Sequence, residues 1–266
     1  MIKNSFCKIN LNLSVISRCA DGFHNIESVI YPVAGLADTI RMEPAAQFSF
    51  SSCGIELDCP EEDNLCVKAY RLMQERYKIG PVKLSLTKRI PFGAGLGAGS
   101  ANAVAVVEAA DELFALNLTR QAKLDAARVL GSDTSFFVDF VPQIASGRGE
   151  ILSPIAVDLS GYYLYMVKPD IGVSTRRAYS LITPHEPQIS VQEAIEHPIH
   201  EWKYVCVNDF QAPIFGRIPL LGSIRDQLYS AGAIYAAMSG SGSTVYGIFQ
   251  DQPKLVFPYF SYCKKL

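Results

Sequence analysis

Residues 91–100 read Pro91-Phe92-Gly93-Ala94-Gly95-Leu96-Gly97-Ala98-Gly99-Ser100, with glycine at every second position from 93 to 99. Just before them Val82, Leu84 and Leu86 alternate with Lys83, Ser85 and Thr87, the two-residue period of a strand ending at Pro91. Just after them Ala103, Val104, Val107, Ala110, Leu113 and Phe114 recur at helical spacing and predict a long helix from near Ser100. Glycine permits positive φ and lets backbone N–H groups approach a ligand with no Cβ in the way. A helix start adds unpaired N–H groups and the positive end of the helix dipole. Strand, loop and helix together predict a phosphate site, with Gly97 where chain and phosphate approach most closely.

The residues decide between kinds of phosphate loop. The Walker A loop needs Gly-Lys followed by Ser or Thr, and here Gly99 meets Ser100 with no lysine. A dinucleotide fold wants an acidic residue about 20 positions on, at the end of the next strand. Asp111 and Glu112 instead fall inside the long helix. A flexible connector, or close strand–helix packing, is the bland alternative.

Working outward, residues 6–16 alternate Ile9, Leu11, Leu13 and Val15 with Lys8, Asn10, Asn12 and Ser14, a period-two strand. A lysine and two asparagines on one face are unusual for a merely solvated strand. A turn at Asp21-Gly22 precedes a strand from Ile26 to Val33 that Pro32 pushes toward an edge, then short strands at 38–43 and 48–50. Asp63 or Asn64 caps a helix to about Tyr77; Thr119 precedes a helix over 120–130 that stops at Gly131, a candidate C′ glycine. A buried strand is expected at 162–167, a helix at 218–230, and strands at 234–238 and 244–249 around the loop Ser239–Ser243. The stretch past Thr183 is polar and proline-interrupted, where variation would be tolerated. Strands and helices mix without regular βα alternation, which gives an α+β class. A boundary near 150 gives domains 1–150 and 151–266.

Hydrophobic residues make up 49% and charged residues 19%, enough for a core and against disorder. The net charge of −2 gives no basic field for nucleic acid. The seven cysteines are odd in number and lack C-x2-C spacing, so free thiols in a reducing compartment are expected. Lys8, Asn10 and Asn12 interrupt the apolar stretch that a signal peptide would need. No apolar run is long enough for a bilayer, so the expectation is a cytoplasmic protein without membrane or nucleic-acid partners.

Several side chains stand out. Asp133 lies between Gly131 and Phe136-Phe137, placed either as a general base beside apolar neighbours or as a helix cap. Phe23-His24 follows a tight turn; such a pair can stack on a flat base and hydrogen-bond its edge. Ser239-Gly240-Ser241-Gly242 is a hairpin loop or part of an anion nest. His185, His197 and His200 have no acidic or cysteine partner in metal spacing and read as surface residues.

Pro91, Gly95, Leu96, Gly97, Gly99 and Ser100 match the Pro-x-x-x-Gly-Leu-Gly-x-Gly-Ser loop of the GHMP kinases, which this chain resembles. Within that superfamily it is similar to the 4-diphosphocytidyl-2-C-methyl-D-erythritol kinases. The family's motifs appear in order as Lys8-Ile9-Asn10-Leu11, Arg18 to His24, Gly131 to Phe137, Gly172 to Tyr179 and Ser239 to Gly242. Phe92, Ala94, Ala98 and Ala101 depart from the commonest family residues, and Ala101 removes a hydroxyl at the helix start. The resemblance implies a two-domain α+β fold with mixed sheets, helices packed against them and the active site between the domains. It implies Lys8 and Asp133 as catalytic residues, the lysine holding the base ionised and offsetting charge on the transferred phosphate. It implies ATP held by residues 91–101, with Mg2+ accompanying the nucleotide and Ser100 within its reach. Phe23 would stack on cytosine, His24 would read its edge, Tyr179 would take the opposite face, and Asn10 and Thr175 would touch the same substrate. The implied partner is a small molecule bearing a cytidine diphosphate group, bound by a monomer or homodimer. Homoserine- or mevalonate-type kinases are alternatives, against which the Asp21–His24 turn speaks. A non-catalytic sensor is another, against which the Lys8 and Asp133 pair speaks.

Overall fold

The structure, a computed structural model, describes residues 1–57 and 59–266. Its strands are β1 (Ile2–Asn10), β2 (Ser14–Arg18), β3 (His24–Pro44), β4 (Ser49–Gly54), β5 (Val82–Lys88), β6 (Gln143–Ser146), β7 (Ile151–Pro154), β8 (Tyr163–Lys168), β9 (Tyr235–Met238), β10 (Val245–Phe249) and β11 (Phe260–Lys265). Its helices are α1 (Leu65–Tyr77), α2 (Ala98–Leu113), α3 (Arg120–Leu130), α4 (Phe136–Asp139), α5 (Thr175–Tyr179), α6 (Val191–Glu196), α7 (Trp202–Val205), α8 (Gln211–Arg217) and α9 (Pro219–Ser230).

The chain divides into two compact units that are not contiguous in sequence. One holds residues 1–7, 34–92 and 97–140, the other 8–33, 93–96 and 141–266. In the first, β5 buries Val82, Leu84 and Leu86 as its alternation requires. It runs antiparallel to β3, with Ile40 opposite Leu86, and parallel to β4, with Phe50 opposite Leu84, which makes the sheet mixed. Helices α1 and α2 cover this sheet, and Met42, Tyr70, Met73, Leu84, Val106 and Ala109 meet in its core. The predicted caps form: Asn64 accepts from the Cys66 N–H at 2.9 Å and Thr119 from the Ala122 N–H at 3.2 Å. Helix α2 begins at Ala98, two residues before the expected start.

In the second unit β8, β9, β10 and β11 form an antiparallel sheet in the order β11-β8-β10-β9. Helix α9 packs on β9 and β10, and Leu221, Ile224 and Leu228 join Val167, Met238 and Val245 in a separate core. Residues 28–30 of β3 pair with β6, and β6 pairs with β7.

Some expectations are corrected. The strand read over 6–16 breaks after Asn10, because the Asn12 side chain takes the place of a ladder partner and accepts from the Val29 N–H at 2.9 Å. The strands read at 26–33 and 38–43 are one, β3, in which Pro32 falls between the stretch paired to β6 and the stretch paired to β5. Gly131 does end α3, but with φ 162 it is extended rather than left-handed. The stretch past Thr183 is structured: Val191, Ala194, Ile195, Trp202, Phe210 and Ile214 are all buried. The three histidines lie at the surface as read, His185 and His200 exposed and His197 half-buried, each near a carboxylate: His197 at 2.9 Å and His200 at 3.7 Å from Glu201, and His185 at 3.9 Å from Asp209. Replacing the cap in Thr119→Ala should lower unfolding free energy by about 0.5–2 kcal/mol, measured by urea denaturation, with turnover unchanged.

Candidate active site

The glycine loop has two sides. Ala94, Leu96, Ala98 and Ala101 are buried, while Gly95, Gly97, Gly99 and Ser100 are partly open. Three successive carbonyls are engaged in the second unit: Ala94 accepts from the Thr244 N–H at 3.2 Å, Gly95 from the Ser239 hydroxyl at 2.8 Å and Leu96 from the Lys8 N–H at 3.0 Å. With its carbonyls held, the loop turns its N–H groups elsewhere. The first helical bond of α2 runs from the Ala101 N–H to the Gly97 carbonyl. Among the described residues no protein acceptor takes the N–H groups of Ala98, Gly99 or Ser100. Helix α2 has no side-chain cap and no acidic residue in its first turn, so its positive end is uncompensated.

Gly93, Gly95 and Gly97 all adopt positive φ, at 54, 73 and 69 degrees. Gly97 is the left-handed residue that precedes α2. The tightest approach is at Gly95, where a Cβ would lie 2.0 Å from the Ser239 carbonyl oxygen. The two glycine-rich loops are therefore packed backbone to backbone.

Lys8 and Asn10, at the end of β1, and Asn12, just beyond it, are 4%, 4% and 1% exposed, so these polar side chains are buried rather than solvated. Lys8 Nζ donates to Asn10 Oδ1 at 2.5 Å, and Asn10 Nδ2 donates to the Ser28 hydroxyl at 2.7 Å. The Asn10 N–H donates to Ser239 Oγ at 3.2 Å, and that hydroxyl passes its own proton to Gly95. One serine thus joins the strand bearing Lys8 to the glycine loop. Behind it Tyr246 and Tyr235 donate to the carbonyls of Asn10 and Leu11 at 2.8 and 2.5 Å. Burial pushes both phenols well up, so they stay protonated donors.

Within the Ser239–Gly242 loop the N–H groups of Ser239 and Gly242 are spent on internal bonds, which narrows the expected anion nest to Gly240 and Ser241. Asn208 Nδ2 holds the loop by donating to the carbonyls of Met238 and Gly240 at 2.7 and 2.9 Å. Thr175 Oγ1 lies 3.2 Å from Ser241 Oγ, at the start of α5.

The aromatic group lies in the second unit. His24 and Tyr179 stack on each other with centroids 4.8 Å apart, and Phe210 meets Tyr179 edge-on at 5.0 Å. Burial, and secondarily the Arg18 charge, hold the His24 imidazole below its usual value, so it is neutral at pH 7 with one donor and one acceptor. Phe23 is 57% exposed, and the Arg148 guanidinium covers one face at 4.7 Å while pairing with Asp21. Asp133, in the first unit, is exposed on a 3₁₀ turn ahead of buried Phe136 and Phe137. Neither that turn nor α4 has a side-chain cap, so the capping reading of Asp133 fails.

Sequence reasoning missed Ser28, Arg148, Asn208, Tyr235 and Tyr246, whose partners lie far along the chain. No local signal marks them. In Gly95→Ala the added carbon must displace the Ser239 carbonyl, so thermal unfolding should drop by several degrees and ATP affinity should fall. Gly22→Ala, at a positive φ with nothing within 4 Å, should leave ATP affinity intact.

Comparison with known proteins gives the family. Residues 64–147 match the family model for the GHMP kinases N-terminal domain and residues 201–257 the GHMP kinases C-terminal model. The chain is 45% identical over 259 residues to the 4-diphosphocytidyl-2-C-methyl-D-erythritol kinase of Bacteroides thetaiotaomicron, covering 96% of this chain and 94% of that one. To the kinase of the same name from Cytophaga hutchinsonii it is 40% identical, covering 96% and 94%. A crystal structure of 4-(cytidine 5'-diphospho)-2C-methyl-D-erythritol kinase superposes with a TM-score of 0.80 at 31% identity, covering 93% of this chain and 90% of that one. With this agreement in sequence and fold, the chain belongs to the 4-diphosphocytidyl-2-C-methyl-D-erythritol kinase family of the GHMP kinases, with their two-domain α+β fold.

Proposed function

We propose that this chain transfers the γ-phosphoryl group of ATP to the 2-hydroxyl of 4-diphosphocytidyl-2-C-methyl-D-erythritol, a step of the non-mevalonate route to isoprenoid precursors. The observation that carries the reading is the loop 93–100, whose carbonyls are held by protein while its glycines and the open end of α2 face outward with free N–H groups. Those donors receive the phosphates of ATP, and Gly240 and Ser241 add further N–H groups on the phosphate side.

Asp133 accepts the proton of the attacking hydroxyl, and Lys8 offsets the negative charge that grows on the transferred group. The buried Lys8–Asn10 bond holds the ammonium in one place, so no reorganisation is needed during transfer. Phe23 stacks on the cytosine with the face that Arg148 leaves free, and neutral His24 hydrogen-bonds the base edge; Tyr179, expected on the opposite face of the base, is stacked on His24 at 4.8 Å and backs that ring instead. Asn10 and Thr175 complete the substrate contacts. Among the described residues no three His, Cys, Asp or Glu side chains converge as a metal site. Magnesium would come with the nucleotide, with Ser100 as a protein contact, because Mg2+ commonly binds through substrate phosphates and few protein ligands. When bound it neutralises the β- and γ-oxygens. A functional division near residue 150 is supported by the two family models, which lie on either side of it.

The test is ADP release with purified protein, offering the cytidine substrate, homoserine and mevalonate in parallel; turnover only with homoserine or mevalonate would sink the assignment. Asp133→Asn should lower turnover by roughly 10²–10⁴-fold with nucleotide still bound, and near-normal turnover would exclude the base. Phe23→Ala should weaken cytidine-substrate binding by about 1–3 kcal/mol and leave ATP affinity unchanged, by calorimetric titration.

A further inference from the structure

In the first unit, beneath the entry to the glycine loop, lies an ion pair that none of the steps above uses. Asp38 and Lys88 are 0% and 2% exposed. Lys88 Nζ donates to Asp38 Oδ2 at 2.6 Å and also to the carbonyl of Ile90. The other carboxylate oxygen, Oδ1, accepts from the Arg89 and Ile90 N–H groups at 2.7 and 2.8 Å. Asn102, in the second turn of α2, donates its Nδ2 to Oδ2 at 3.0 Å. On the other side the Lys88 carbonyl accepts from the Ile55 N–H at 3.0 Å. Lys88 Nζ also lies 5.9 Å from the ring centroid of Phe92, in the loop itself.

A buried ion pair is poor evidence of stability, because a well-packed apolar pair of similar size often does as well. What an apolar pair cannot do is accept two backbone N–H groups and hold an amide on a neighbouring helix. The carboxylate touches residues 89 and 90, where the chain enters the loop, and residue 102, just after the chain has left it. Both ends of the loop in this unit are fixed to one anion. The arrangement is also close-fitting: a Cβ at Gly54 would lie 2.2 Å from the Lys88 carbonyl oxygen.

We propose that Asp38 is a positioning residue for ATP, which clamps residues 89–90 to Asn102 so that the loop's N–H groups are already aimed when the nucleotide arrives. The proposal rests on the reading that the glycine loop holds the ATP phosphates. A preorganised loop binds without the cost of ordering it, so loosening the clamp weakens ATP and spares the cytidine substrate.

The experiment compares two neutral double variants, so that a stranded buried charge is not the cause of any effect. Asp38→Asn/Lys88→Met keeps an amide oxygen for the Arg89 and Ile90 N–H groups. Asp38→Leu/Lys88→Met has no acceptor there. Each is titrated calorimetrically with a non-hydrolysable ATP analogue and with the cytidine substrate, and kcat and both KM values are measured. The leucine variant should bind the analogue roughly tenfold or more weakly and show a matching rise in KM for ATP. The asparagine variant should stay within about threefold of the parent, the rescue expected of a hydrogen-bond acceptor. Both should bind the cytidine substrate as the parent does. Equal ATP affinity in the two double variants, or equal losses for both ligands, would overturn the clamp. Should the leucine variant not fold, Asn102→Ala decides: a several-fold loss of ATP affinity alone supports the proposal, and parental affinity overturns it. Gly97→Val runs alongside. If it retains nucleotide, the phosphate-loop reading itself falls; if it loses nucleotide while the double variants match the parent, only the clamp falls.

Discussion

Burial of Lys8 and Asn10 at the end of β1, and of Asn12 just beyond it, is the constraint around which the second unit's candidate site is arranged. An unpaired buried polar group costs about 1–3 kcal/mol, so three in succession demand a complete set of partners. The chain supplies them from distant segments: Ser28 and Ser239 for Asn10, and Val29 and the Val191 carbonyl for Asn12. Because each partner is itself fixed, the Lys8 ammonium is held by geometry that a solvated lysine would lack. The two buried tyrosines serve the same end from behind, since their hydroxyls meet main-chain carbonyls that the interrupted strand leaves open.

The same network explains why the glycine loop needs glycine at position 95 and tolerates alanine between glycines. Ala94, Leu96 and Ala98 point inward, where small apolar side chains fit. Gly95 faces the Ser239 carbonyl at a distance that excludes any Cβ. The alternation is thus a division of labour between an inner face that packs and an outer face that exposes N–H groups. The Ser239–Gly242 stretch reads from sequence either as a hairpin loop or as part of a nest of backbone N–H groups. In the structure the Ser239 hydroxyl is an internal strut, and the open donors lie one and two residues further on.

What the sequence revealed follows the range of the interactions involved. Helix caps at Asn64 and Thr119, the burial pattern of β5 and the loop–helix junction rest on neighbours within a few residues; the first three formed as read, and the junction came two residues early. The 21-residue strand β3 was hidden because Pro32 and Gly35 look like breakers when their strand partners are unknown. The 191–217 helices are short and owe their order to non-local burial, as with Trp202 against Tyr235. Asp38 and Lys88 sit 50 residues apart and look like ordinary strand-end charges until the fold joins them. Arg148 meets Asp21 across 127 residues, a pairing no spacing rule could find.

The turn before His24 is held rigid by local hydrogen bonds. The Cys19 N–H donates to the Phe23 carbonyl at 2.7 Å, the Gly22 N–H to the Cys19 carbonyl at 3.0 Å and the Phe23 N–H to Asp21 Oδ1 at 3.2 Å. Gly22, at φ 89, makes the tight reversal possible. An exposed aromatic ring is ordinarily free to turn, and ordering it on binding costs affinity. Here the backbone beneath Phe23 is closed by three hydrogen bonds, and Arg148 rests on the ring while tied to Asp21. His24 is held flat against Tyr179, and burial keeps its ring neutral. Most of the conformational cost of gripping a flat base is therefore met during folding. On the proposed reading of this turn as the cytosine site, the binding energy of a cytidine ligand would then go into recognising its edge, which a flexible turn with the same residues could not achieve.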